Sequence, residues 1–195
     1  WDEGWVGRYL TKLYPGFPLQ IPQEPMAIQL GSVESLLIQT DLGSTGVVFS
    51  NPTNFYNLVS GTTIDNEAVP DTFAGEELRF MRQIATQSVA YSGIIKQKWD
   101  KSLKNLYTYP TTNLASQLKI VSELIGGGLQ TPIYLTTIGG FDTHANQVVA
   151  NATNTGTHAN LLRTVADEGV GKTARLVISP LQKLHAKPVA VELQT

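Results

Sequence analysis

Hydrophobic residues along this chain gather into short blocks, and the spacing inside each block says which element it can form. Residues 4–13 (GWVGRYLTKL) read as a short helix closed by Tyr14-Pro15-Gly16. Pro15, Pro18, Pro22 and Pro25 then predict an extended connection, because proline donates no backbone hydrogen bond and biases the residue before it away from helix. Three strand-like runs follow at residues 26–30, 35–40 and 45–50, with Gly31 and Gly43-Ser44 at the turns between them. Their order and turn residues predict a small antiparallel β unit. Residues 51–73 are polar and loop-rich, with one helical turn expected at Phe55-Tyr56-Asn57-Leu58.

The longest helical candidate covers residues 75–106. Leu78, Met81, Ile84, Ala85, Tyr91, Ile95, Trp99, Leu103 and Leu106 are read as its apolar stripe, packed on the domain. Tyr109-Pro110 ends it, and Asn113 is the expected cap of a second helix with Leu114, Leu118, Val121 and Ile125 as its seam. Gly126-Gly127-Gly128 stops that helix. Residues 132–138 (PIYLTTI) then read as a short strand apolar enough for a sheet centre. Helix, glycine stop, buried strand and glycine turn in that order predict the α/β class. A further helix is expected to start within residues 157–166, and past Asp167 the periodicity degrades. The stretch 169–195 is expected to leave an apolar sheet edge uncovered.

Composition narrows the partners. The chain has 195 residues, enough for one ordinary domain, and is 42% hydrophobic and 15% charged, which suits a globular fold and not a charge-driven disordered one. Fourteen basic and 16 acidic residues leave a net charge of -2, so no field of one sign is available for nucleic acid, and no nucleic-acid partner is expected. The absence of cysteine excludes disulfides and thiolate metal sites within the chain. No apolar run approaches the ~20 residues of a membrane span, so no transmembrane segment is expected. The chain starts at Trp1 without a charged-then-apolar leader and is read as beginning inside a longer protein.

The strongest chemical signal follows the predicted central strand: Gly139-Gly140-Phe141-Asp142-Thr143-His144. Ligands of open α/β sheets gather beyond the carboxyl ends of strands, and paired glycines allow a sharp turn and a close backbone approach. A carboxylate and an imidazole two positions apart can converge on one metal ion or act as an acid/base pair. Asn146, Gln147 and His158 lie near enough in sequence to join them. The competing reading is a turn in which Asp142 caps the next segment and His144 is a polar surface residue. Residues 166–173 (ADEGVGKT) fit the phosphate-loop pattern loosely, with Ala166 in place of its first glycine. A phosphate loop needs a strand before it, and residues 161–165 read as helix, so no nucleotide site is assigned. His185, between Lys183 and Lys187, reads as solvated surface.

The segment 117–147 (QLKIVSELIGGGLQTPIYLTTIGGFDTHANQ) resembles the hallmark of the bacterial domain-of-unknown-function family numbered 1501, which is similar to the alkaline phosphatase and sulfatase superfamily. The likeness extends upstream through GWVGRYL at residues 4–10, NPTNFYNLVSG at 51–61 and LRFMRQ at 78–83, and downstream through HANLL at 158–162. It covers about residues 1–167. Residues 168–195 do not resemble the family, and a frame error, a truncation or a chimeric assembly would each explain such a tail.

The resemblance implies a partial alkaline-phosphatase-like sheet with a long helix and a small antiparallel β unit. It implies that Asp142 and His144 are metal ligands, with His158 and Gln147 as further ligand or supporting candidates, and a divalent ion such as Zn, Mg or Ca as cofactor. Family members carry a twin-arginine export leader, which implies a periplasmic or cell-surface protein. The implied function is metal-dependent hydrolysis of phosphate or sulfate esters, small or polymeric, by a longer protein of which this chain is a fragment. The alternative is a non-catalytic exported binding or scaffold protein of the same fold. The superfamily site also needs an Asp and a nucleophile upstream and an Asp-His pair downstream, and the chain matches neither.

Overall fold

Helix α1 (Trp5–Leu13) forms where the sequence predicts it, and buries Val6 and Leu10. The computed structural model describes residues 3–65, 67–102, 108–142, 147–150, 152 and 154–167, and the backbone alone of 189–193. After α1 the proline-rich connection turns on itself where an extended path was expected: Phe17 N–H donates to Tyr14 O at 3.0 Å and Gln20 N–H to Gly16 O at 2.7 Å. Proline excludes helix but is equally at home in turns, and local backbone bonds decide between the two.

β1 (Ala27–Leu30) is buried at every position. A 3-10 turn (Leu36–Ile38) leads into β2 (Gln39–Thr40), which pairs antiparallel with β3 (Gly43–Ser44). β4 (Gly46–Phe49) then runs parallel to β1. The expected antiparallel unit therefore shrinks to two residues per strand. The outer two runs belong to the main sheet, because the short hairpin turns the chain back into the direction of β1.

Asn51 caps α2 (Pro52–Val59), its side chain accepting from the N–H groups of Thr53 and Asn54 at 2.9 and 3.0 Å. Asn followed by Pro is a cap followed by the first helical residue, so the single expected turn becomes a full short helix. α3 (Phe73–Lys101) is the long helix. Tyr91 and Ile95 are buried as expected, but Leu78 and Met81 are exposed. At 3.6 residues per turn Leu78 lies far around the helix from Tyr91, and the inward row is Gln83, Gln87, Tyr91, Ile95. Leu103 and Leu106 fall outside the described residues.

Thr112, one residue before the expected cap, takes that place on α4 (Asn113–Gly126), with its hydroxyl accepting from Ala115 N–H at 3.1 Å. Leu114, Leu118, Val121 and Ile125 are all buried. β5 (Ile133–Ile138) follows, and after it α5 (Thr157–Thr164).

The result is a mixed α/β fold: five α-helices among the described residues, a parallel sheet and the small hairpin. β4, β1 and β5 form the parallel core, and the backbone of β6 (Val189–Leu193) pairs parallel along the far edge of β5. The sheet edge expected to be bare is thus paired by the chain's own tail. Alternation along the strands divides the interior. Ile28, Leu30, Tyr134 and Ile138 face a core shared with α3 and α4, and Ala27, Ile133 and Leu135 face one shared with α1. Strands covered on both faces are what a parallel sheet requires. No helix among the described residues is long and apolar enough to cross a membrane.

Candidate functional site

In chain order the second parallel strand, β4, lies outside the first, β1, while the third, β5, lies on the other side of β1. The connection from β1 runs to one side, to β4, and the connection from β4 passes to the other side of β1, to β5, so a crevice opens between the carboxyl ends of β1 and β5, the place where open parallel sheets hold ligands.

Two buried glutamines shape it. Gln29, 1% exposed, donates from Nε2 to Val33 O at 2.6 Å and accepts from Ser35 N–H at Oε1 at 2.8 Å. It pins the loop that leaves β1. Gly31 N–H donates to Phe49 O at 3.1 Å, so beyond Leu30 the chain stays with β4 and parts from β5. The β1–β5 ladder ends at the Leu30–Thr136 pair. At the next position Gln117 of α4 takes over: its Nε2 donates to Thr137 O at 2.8 Å and its Oε1 accepts from Thr137 N–H at 2.9 Å. One carboxamide thereby satisfies both backbone groups that β1 abandons, which an apolar side chain could not do. Above this floor lies a cavity of about 290 Å³, bordered by the loop after β1, by Ser50 after β4, by Thr137, and by the first turns of α4.

Beyond β5 the chain turns at Gly139-Gly140. Gly140 has φ 92°, a left-handed conformation that strains any residue with a Cβ. Phe141 then lies edge-on against His158, ring centroids 5.7 Å apart and planes at 84°. Phe141 and Leu161 both pack on the main core. The loop returns so that His158 N–H donates to Gln147 O at 3.2 Å. Gly156, at φ 120°, makes this possible, since a Cβ there would stand 2.6 Å from Gln147 O and from Val148 Cα. The turn after β5, Gln147 and His158 are therefore neighbours. Asp142 is exposed at the head of the loop, and His144 lies outside the described residues.

His158 Nδ1 is buried and has no hydrogen-bond partner among the described residues. A buried imidazole nitrogen without a partner fits a divalent ion as well as a further donor, and carboxylate with imidazole is the donor set of zinc-type sites. Among the described residues no three His, Asp or Glu side chains are grouped closely enough to hold a metal ion. Asp142 and His158 are each of ligand type, a carboxylate and an imidazole.

Gln29 and Gln117 were not among the residues singled out from sequence, although a signal for each was present. Gln117 is three residues after Leu114 and four before Val121, inside the apolar seam of α4, and Gln29 interrupts an apolar strand. The molecule is, by its fold, an α/β protein with a parallel sheet and a crevice at its strand-order reversal. In comparison with known proteins the chain matches no family model, no curated protein and no solved structure.

Proposed function

We propose that this chain is part of an exported alkaline-phosphatase- or sulfatase-like protein, and that the turn after β5 contributes metal ligands for hydrolysis of phosphate or sulfate esters. The supporting observation is the packing of Phe141 on His158, which brings that imidazole, whose Nδ1 has no partner among the described residues, to the turn that carries Asp142. Asp142 would offer its carboxylate, and His158 and His144 their imidazoles. A divalent ion held by such ligands supplies charge neutralisation on the ester oxygens and a water acidic enough to react near neutral pH. Gly140 and Phe141 set the direction in which Asp142 leaves the sheet, and Gln147 holds the start of α5 through its carbonyl.

Zinc titration of the 195-residue chain, followed by calorimetry, tests this reading. Saturable binding is expected, weakened about tenfold or more (about 1.4 kcal/mol) in Asp142→Ala and in His158→Ala. Equal affinity in the parent chain and both variants would refute it. Absence of zinc binding altogether would leave the non-catalytic binding or scaffold protein as the better reading.

A further inference from the structure

The crevice between β1 and β5 has a chemistry of its own. Its polar lining comes from Ser32, Ser50, Asn113, Ser116 and Thr137, over the clamped amide of Gln117, and no charged side chain among the described residues borders it. Val33 and Ile120 give it two apolar walls. A cation entering here would leave water without meeting an opposite charge, and an anion would meet only the partial positive charge at the start of α4, so a full charge is costly to bring in. A hydroxyl both donates and accepts, as do the serine and threonine hydroxyls and the asparagine amide. Ser116 Oγ already donates to Thr112 O at 2.9 Å, so toward the crevice it offers lone pairs. A volume of about 290 Å³ lies at the lower end of the range for small-molecule pockets, roughly 300 Å³ upward, and suits one ring better than a polymer segment.

We propose that this crevice binds a small uncharged polyol, a single monosaccharide ring, with its hydroxyls on the Ser32, Ser50 and Asn113 side chains and its C–H face on Val33 and Ile120. The site uses neither Asp142 nor His158, and stands whether or not the chain binds metal. Amide NMR spectra of the chain, recorded without metal, are titrated separately with D-glucose, N-acetyl-D-glucosamine and inorganic phosphate. At least one sugar should shift the amides of Gly31, Ser32, Ser50, Asn113 and Thr137 saturably, and phosphate should not. Ser116→Phe places a ring at the exposed side of the crevice and should weaken that binding about tenfold or more, with amides remote from α4 unmoved as proof of folding. No saturable shift with either sugar, saturation by phosphate alone, or unchanged affinity in a folded Ser116→Phe chain would each overturn the proposal.

Discussion

The chain leaves β1 and β5 at the same end of the sheet, and the two exits are held by different means. After β1 the loop is fastened by polar side chains: Gln29 bonds to Val33 and Ser35, and Glu34 accepts from the Ser44 hydroxyl and from Gln39 Nε2 at 3.2 Å. After β5 the amide clamp stops at Thr137, and the following turn rests on the contact of Phe141 with His158. Directional bonds fix a loop in one conformation, whereas an aromatic edge contact on a glycine turn fixes direction with less restraint on conformation. The first exit is built as a wall, and the second leads to the exposed residue Asp142.

Gln29→Leu should show the largest effect. It keeps the shape but removes the two bonds by which a buried side chain holds the loop backbone, and a loss of about 2 kcal/mol is expected from urea unfolding. A loss below about 1 kcal/mol would mean that the loop after β1 does not depend on its glutamine. Phe141→Ala should cost less, about 1.5 kcal/mol, because Phe141 is half-buried and its neighbour His158 can relax. A cost equal to that of Gln29→Leu would erase the distinction between the two exits.

The smallest effect is one of pH. Burial holds the Glu34 carboxyl above its ordinary 4.5, against the opposing bonds from Ser44 and Gln39. A carboxyl raised in the folded state favours its protonated form there, so its contribution is full below 4.5 and is lost as the pH rises through the raised value. Relative to Glu34→Gln, the parent chain should lose unfolding free energy as the pH is taken upward from 4.5. A parent chain that gains over that interval would show the bonds from Ser44 and Gln39 outweighing burial.

What was readable in the sequence follows from how local each cause is. The seam of α4 and the buried β5 declare themselves through neighbours three to six residues away, and both stand where the pattern put them. The direction of β4 relative to β1 was misread, because its partner is chosen by a sheet assembled across the whole chain. On α3 the apolar residues Leu78 and Met81 drew attention away from a more polar inward row. Within the candidate site, glycines and Asp142 announced a turn at a strand end. The crevice beside it was hidden because its floor is a glutamine set in an apolar helix face, a position that composition treats as an exception.

The pairing of β1 with β5 joins Ala27 to Ile133, more than a hundred residues along the chain. Loops of that size close at an entropic cost that is met before the contacts they allow are gained, and such topologies fold slowly. The β1–β4 pair needs a far shorter excursion and can assemble early, with the β1 side that will receive β5 still unpaired. During synthesis that edge must wait for α2, α3 and α4 to be made, a time of several seconds at ~5–20 residues per second. The strand junction that creates the crevice is for that interval an unpaired edge, open to pairing with another chain.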